Sequence, residues 1–133
     1  MKKLFILFLS IGLFTACSDD DTSTDDDITS ANIILNDTNG DPVSGTVVYA
    51  YNESTWSVIG DQTNFADFQA ATGADGVATF SNLTTNINFS NLNNFTHTFR
   101  FSVRYSINGE DKIKVRPITF DLGDDLTDTI ILD

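Results

Sequence analysis

The chain has 133 residues, with 19 acidic and seven basic side chains and a formal net charge of −12 at pH 7. Binding to nucleic-acid phosphates needs a surplus of Lys and Arg, so this charge argues against a nucleic-acid partner. The length predicts one domain, and the single cysteine, Cys17, excludes a disulfide within the chain.

The first 16 residues have the pattern of a secretory signal. A cationic start at Lys2 and Lys3 is followed by the apolar run Leu4–Phe14, and two small residues then lead into Cys17. A membrane-spanning helix needs about 20 apolar residues, and this run is much shorter. We therefore predict that residues 1–16 are a cleaved signal peptide and not a stable anchor.

The five residues that end in Cys17 resemble the lipobox of bacterial lipoproteins. This resemblance implies a diacylglycerol on the Cys17 sulfur and a further acyl group on its freed amine. One acyl chain gives only marginal membrane binding, whereas two give stable anchoring. An ordinary secretory signal that happens to contain a cysteine is the alternative. We predict that the membrane is a partner through lipid on Cys17.

An acidic leader follows the cysteine. It begins with Ser18, Asp19, Asp20 and Asp21. These residues resemble the export tag that sends some Gram-negative lipoproteins to the outer face of the outer membrane, and a solvated spacer is the alternative. Residues 18–27 contain six carboxylates and no apolar side chain, so they cannot fold and they repel one another. We interpret residues 17–27 as a lipidated tether and residues 28–133 as the domain that it holds.

From residue 28 onward the chain predicts short strands between turns, without a convincing stretch of helical period. The predicted strands are 33–35, 46–51, 77–80 and 99–105, with weaker candidates at 56–59 and 65–72. The Asn-rich stretch 86–94 predicts a loop. A domain of this length can bury about two-thirds of the surface of its unfolded chain, and the 11 Phe supply much of that core.

The strand 99–105 and the alternating residues after it predict a β-hairpin. A two-residue Asn-Gly loop would set Arg104 opposite Ile113 and would place a charge on the apolar face. We therefore predict a three-residue loop, 107–109, which pairs Val103 with Ile113 and Phe101 with Val115 and points all four away from solvent.

In that register the basic residues of the mature chain form a cationic stripe on one outward face. They are Arg100, Arg104, Lys112, Lys114 and Arg116. Like charges opposite each other destabilise a sheet by roughly 0.2–1 kcal/mol per pair, so something must neutralise them. The candidates within the chain are Asp121, Asp124, Asp125 and the tether carboxylates 25–27. The candidate outside it is an anionic ligand such as an acidic glycan or a lipid phosphate.

Two motifs in the domain occur in a familiar order. Residues 39–48 read NGDPVSGTVV and residues 72–83 read TGADGVATFSNL. They resemble the opening strand and the next hairpin of the carboxypeptidase-regulatory-like, transthyretin-like β-sandwich repeat. The likeness covers about residues 33–132, with Thr129–Leu132 as the closing strand, and departs after Leu83 at the Asn-rich stretch. It implies an all-β fold, a single antiparallel sandwich of about seven strands, in a non-catalytic accessory or adhesion-type module.

Catalytic patterns are weak in this sequence. His97 is the only histidine, and no serine or cysteine partner for it can be identified. An acid–base pair needs one carboxyl in a cleft, whereas the acidic residues here lie in turns and in the leader. We therefore predict that the protein is not an enzyme and has no cofactor.

One turn carries oxygen ligands at the first three positions of a calcium loop. They are Asp37, Asn39 and Asp41. Pro42 replaces the sharp-turn glycine of an EF-hand and Val48 stands where the bidentate Glu belongs, so that pattern is broken. A weak calcium site between this turn and Asp75 remains as an alternative.

Three aromatic residues offer another route to function. Tyr49 and Tyr51 share one face of a strand and Trp56 follows closely, which fits either a sugar-stacking platform or core packing. The sequence thus predicts a non-catalytic surface lipoprotein of the outer membrane that acts as a binding or interaction module. The alternative is a carbohydrate-binding accessory module of a glycan-uptake or glycan-degrading system. The expected partner is a glycan or another surface protein.

Overall fold

The computed structural model describes residues 28–84 and 96–133. The predicted signal peptide, Cys17, the predicted export tag and tether, and the Asn-rich stretch 86–94 lie outside these residues. The strands are β1 (Ser30–Asp37), β2 (Val47–Asn52), β3 (Phe68–Ala71), β4 (Val77–Phe80), β5 (Thr96–Ile107), β6 (Glu110–Asp121) and β7 (Asp125–Leu132). Between β2 and β3 lie the helix α1 (Glu53–Ile59) and the short 3-10 helix Thr63–Phe65. No helix in the described part of the chain has the length and apolar character that crossing a membrane requires.

The strands form two sheets, with the orders β4-β1-β7 and β3-β2-β5-β6. The prediction of an all-β sandwich of about seven strands is therefore confirmed. Neighbouring strands are antiparallel with one exception, because β1 and β7 run parallel from the Ser30–Asp125 pair to the Asp37–Leu132 pair. The expectation of a purely antiparallel sandwich is wrong at this pair of strands.

The core lies between the sheets and is rich in phenylalanine. Phe99 and Phe101 of β5 are fully buried, and Phe120 of β6 is almost so. The Phe101 ring centroid lies 5.3 Å from that of Phe80 in the first sheet and 6.2 Å from that of Phe120, both in edge-to-face geometry. Such pairs contribute beyond the area that they bury, so Phe101 links the two layers.

The hairpin between β5 and β6 closes with a two-residue loop. Asn108 and Gly109 have φ angles of 54° and 81°, and a type I′ turn needs positive φ at both positions. Arg104 consequently pairs with Ile113, so the predicted three-residue loop 107–109 is wrong.

The position of β6 at the edge of its sheet explains this error. Ile113 and Val115, which we expected to be buried, lie on the outer face and are 52% and 38% exposed. The basic side chains of β6 lie on the inner face, but at an edge where their long stems can cover apolar surface and their charged heads can still reach polar groups. The five basic residues therefore divide between two faces and do not form one stripe.

Residues 56–59, predicted as a strand, belong to the helix α1. The Asn52 Oδ1 atom accepts a hydrogen bond from the Thr55 backbone N–H at 2.8 Å, which makes Asn52 the N-cap. Asp67 supports the cap, because its carboxylate accepts from the Asn52 N–H at 2.7 Å and from the Thr55 hydroxyl at 3.0 Å. Of the weaker candidate 65–72, only β3 is a strand.

Candidate functional site

The outer face of the second sheet carries polar and aromatic side chains next to α1. Side chains alternate between the faces of a strand, so the two arginines and the serine of β5 share this face with the tyrosines of β2. In the register of the sheet, Tyr51 lies opposite Arg100 and Tyr49 lies opposite Ser102. We call the following residues the outer-face cluster: Tyr51, Glu53, Trp56, Asp61, Arg100, Ser102 and Arg104.

Asp61 lies at the centre of this cluster. Its Oδ1 atom accepts a hydrogen bond from the Tyr51 hydroxyl at 2.9 Å, and its Oδ2 atom accepts one from the Ser102 hydroxyl at 2.8 Å. Arg104 Nη2 donates to the Asp61 carbonyl oxygen at 2.8 Å and lies 3.3 Å from Oδ2. Tyr51 and Ser102 are fully buried, and the Asp61 side chain is only 16% exposed. Three donors thus converge on one largely desolvated carboxylate, where charge-assisted hydrogen bonds are strong.

Arg100 holds the start of α1 against the sheet. Its Nε and Nη2 atoms donate to the two carboxylate oxygens of Glu53, each at 3.1 Å. The Arg100 Cζ atom lies 5.3 Å from the centroid of the Trp56 ring, a cation–π distance. Trp56 in turn meets Tyr51 edge-on at 5.4 Å. Because α1 has no buried residue, these polar and aromatic contacts attach it.

Burial raises the pKa of the Tyr51 phenol above its usual range, and the hydrogen bond to Asp61 raises this pKa further. The neutral phenol can donate a hydrogen bond to the carboxylate, whereas a phenolate would face it as a second negative charge. Tyr51 is therefore a hydrogen-bond donor in the folded protein well into the alkaline range.

This pKa shift predicts a stability that depends on pH. Because the folded-state pKa is raised, the stabilisation by Tyr51 is complete below its unfolded pKa of about 10 and is lost as the pH rises beyond it. Tyr51→Phe should lower the free energy of unfolding by about 1.5–3 kcal/mol at pH 8 and by less at pH 11. Urea denaturation at both pH values measures this difference.

Ser102→Ala is the matched control, because it removes the other hydroxyl that donates to the same carboxylate. A serine hydroxyl does not titrate in this range, so its loss should lower stability equally at pH 8 and pH 11. If the loss of stability caused by Tyr51→Phe is also the same at both pH values, the pKa of the Tyr51 phenol is not raised by folding.

The aromatic residues do not form the exposed sugar-stacking platform that the sequence suggested. Tyr51 is fully buried. Trp56 is half-buried between Arg100 and Tyr51. Tyr49 is half-buried on the same outer face. Of the three, it alone is partly exposed and has no ring or cation contact among those described for residues 28–84 and 96–133.

No family model and no curated protein matches this chain. The chemistry of the cluster must therefore be argued from its own geometry. The cluster contains residues from two separate predictions, because Arg100 and Arg104 of the predicted cationic stripe lie beside Tyr51 and Trp56 of the predicted aromatic platform.

The other three basic residues connect the edges of the two sheets. Lys114 Nζ donates to the Ile131 carbonyl oxygen at 2.6 Å and pairs with the Asp133 carboxylate. Arg116 Nε lies 2.7 Å from the Asp128 carboxylate. Lys112 Nζ donates to the Asp133 carbonyl oxygen at 3.2 Å. The hydrogen bond from Lys114 also lowers the pKa of Asp133 below its usual value. These contacts cover the open edge of β7, as charged side chains at sheet edges commonly do.

Among the described residues, the carboxylates that we predicted to neutralise the basic side chains, Asp121, Asp124 and Asp125, form no salt bridge with them. Asp124 accepts a hydrogen bond from the Asp121 N–H at 2.8 Å, and Asp125 accepts one from the Ser30 hydroxyl at 2.8 Å. The carboxylates that pair with the cations are Glu53, Asp61, Asp128 and Asp133. Residues 25–27 lie outside the described part.

In the turn that was a candidate calcium site, Asp37 binds backbone N–H groups of the same turn. Asp37 Oδ1 accepts from the N–H groups of Asn39 and Asp41 at 2.9 and 3.0 Å, which is how an Asp side chain stabilises its own turn. Asp75 does the same for Val77 at 3.1 Å. Within residues 28–84 and 96–133, no three His, Cys, Asp or Glu side chains are grouped as metal ligands.

Sequence reasoning missed Glu53 and Asp61. Asn52 is a favourable N-cap residue, and Gly60, with φ of 66°, ends the helix. Recognising both would have predicted α1 between them and would have placed one carboxylate at each end of the helix.

Proposed function

We propose that this protein is a lipid-anchored outer-membrane protein, exposed at the cell surface, whose sandwich domain serves binding and not catalysis. The observation that carries the proposal is the order of segments around Cys17. The cysteine ends the apolar run Leu4–Phe14 and directly precedes the acidic residues 18–21. Lipid on the sulfur and on the amine would make the anchoring stable.

The outer-face cluster supports a binding role. A general acid or base needs a titratable group that is poised for proton transfer. The carboxylates here, Glu53 and Asp61, are instead held by Arg100 and Arg104. Ion pairs of this kind fix charge and geometry, which suits recognition of a polar ligand.

A depression of about 440 Å³ adjoins the cluster on the hairpin. Its lining residues are Arg104, Tyr105, Ser106, Asp111, Lys112 and Ile113. The volume is within the range of small-molecule sites, which combine apolar walls with a few polar groups. Arg104 belongs both to this depression and to the outer-face cluster, so a ligand in the depression would lie next to the cluster.

The strand directions support presentation of this surface away from the membrane. β1 begins at Ser30, beside the start of β7 and thus close to the end of β6 at Asp121. The hairpin loop at Asn108 lies at the opposite end of β6, a strand of 12 residues, which corresponds to roughly 36 Å. A tether that enters at residue 28 would therefore hold the hairpin on the far side of the domain.

Replacing the cysteine tests the anchor. In Gram-negative cells that express the full chain and are fed a clickable palmitate, the wild type should carry the label and remain in the membrane fraction. Cys17→Ser should lose the label and be released from that fraction. Recovery of the exported wild-type chain with a free Cys17 thiol, measured by mass spectrometry, would contradict the proposal.

A second variant separates anchoring from surface display. Replacing Asp19, Asp20 and Asp21 by Asn keeps the cysteine and should keep the lipid, but it removes the acidic tag. Protease added to intact cells should digest the wild type and spare this variant. A wild-type chain that resists the protease until the cells are lysed would rule out exposure at the surface.

A further inference from the structure

We infer that the outer face of the second sheet is a binding site for a glycan that carries carboxylate groups, and that Glu53 and Asp61 occupy this site in the structure. The inference deepens the proposed binding role and rests on it, because it names the ligand class for the same surface. In the structure, the carboxylates of segment 53–61 take the positions that the carboxylates of the ligand would occupy.

The donors around Asp61 are those that a foreign carboxylate would use. The Tyr51 and Ser102 hydroxyls approach the two carboxylate oxygens at 2.9 and 2.8 Å, and Arg104 adds its positive charge. Both hydroxyl residues are fully buried, so the surrounding strands determine their positions. The site is therefore built by the sheet, and Asp61 reaches it from the connection that follows α1.

A second carboxylate position lies along the same strand. Arg100 holds Glu53 through two parallel hydrogen bonds of 3.1 Å, the bidentate geometry that arginine offers to carboxylates. Arg100 and Arg104 are four residues apart on β5, which corresponds to about 13 Å. The sheet thus presents two carboxylate sites at a defined spacing on one face.

Tyr49 favours a sugar over a peptide as the carrier of these carboxylates. It lies opposite Ser102, which is midway between Arg100 and Arg104 on β5, and it is half-buried. A half-exposed aromatic ring can stack on the flat face of a sugar ring. A tyrosine ring beside two guanidinium groups matches a chain of uronic acids, in which every sugar ring carries a carboxylate.

Glu53 is the carboxylate that a ligand displaces more easily, because α1 is held weakly, whereas Asp61 is held by three donors in a largely desolvated position. None of the residues of α1 is buried, and the side chains of Arg100 and Glu53 are 31% and 51% exposed, a degree of exposure at which ion pairs contribute little stability. A tethered group still competes at an effective concentration in the millimolar range. The wild type should therefore bind a free ligand more weakly than a variant without the two carboxylates.

The test compares two double variants of the mature chain on immobilised polygalacturonate, with neutral galactan as the reference matrix. Glu53→Gln with Asp61→Asn removes both negative charges with little change in shape, so the internal side chains no longer form ion pairs with Arg100 and Arg104. Asp128→Asn with Asp133→Asn raises the net charge by the same amount, but at the edge of β7. The probe is polygalacturonate alone, and circular dichroism verifies that each variant is folded.

The inference predicts about tenfold stronger retention of the first variant than of the wild type or the second variant. Adding Arg104→Gln to the first variant should abolish this gain.

Equal retention of the two double variants would overturn the inference. Equal binding of the first variant to poly-glutamate, which has the carboxylates but no sugar ring, would overturn it as well. If the first variant does not fold, Glu53→Gln alone carries the test, and unchanged retention of it would reject the site. None of these outcomes depends on lipid at Cys17, so a failure here leaves the anchoring proposal intact.

Discussion

Phe101→Ala is expected to lower the free energy of unfolding by about 3–5 kcal/mol. Phe101 has no exposed surface, and its ring meets Phe80 of the first sheet and Phe120 of β6. Alanine would leave a cavity between the layers, because neighbours on paired strands can move little to fill it. Urea denaturation followed by circular dichroism measures the loss.

Phe65→Ala is the control for this substitution. Phe65 lies in the 3-10 helix and is 61% exposed, so the same chemical change should cost less than about 0.5 kcal/mol there. Similar losses at the two positions would mean that Phe101 does not lie in the core between the sheets.

Gly76→Ala is expected to cost about 2–5 kcal/mol through two separate effects. Gly76 has φ of 77°, a conformation that costs an L-residue about 1–2 kcal/mol. A Cβ atom there would also lie 2.8 Å from the Leu35 carbonyl oxygen and 2.8 Å from Pro42 Cβ. Leu35 cannot retreat easily, because its N–H donates to the Gly76 carbonyl oxygen and its carbonyl accepts from Val43. Overpacking of this kind adds about 1–3 kcal/mol.

Gly45→Ala separates the two effects. Gly45 has a similar φ of 74°, but nothing lies within 4 Å of a Cβ atom placed there. The control should therefore lose only the conformational part, about 1–2 kcal/mol, and thermal or urea denaturation should rank Gly76→Ala clearly below it. Equal losses would show that the close approach of Gly76 to Leu35 and Pro42 does not exist in solution.

The strands of the sandwich could be predicted where local patterns and burial agree. Alternation in 99–105 placed Phe101 and Val103 inside and Arg100 and Arg104 outside, and the structure confirms these faces. At the turn 73–76 the structure gives the reason for a glycine, because a Cβ atom at Gly76 would meet Leu35 and Pro42.

The errors arose where a residue type was taken as a guide to burial. Ile113 and Val115 were placed inside because they are apolar, but they lie outside on an edge strand. Lys114 and Arg116 lie on the inner face because β7 offers their charged heads a carbonyl and carboxylates. Such partners come from residues distant in the chain, and no local pattern contains them.

The candidate site was only partly predictable for the same reason. Period-2 alternation alone predicts that the two arginines of β5 lie on one outward face. Asp61 reaches Ser102 across 41 positions and Arg100 reaches Glu53 across 47, so these contacts follow from the path of the chain after β2. Without the helix caps at Asn52 and Gly60, that path could not be derived.

The parallel pairing of β1 with β7 sets a condition on how the molecule assembles. Ser30 and Asp125, which are neighbours in the sheet, are 95 positions apart, and contacts of such separation form slowly. β1 can pair with β4, which is closer to it in the chain, before it pairs with β7. A polypeptide that stops short of residue 125 would keep one side of β1 open, and open strand edges invite aggregation.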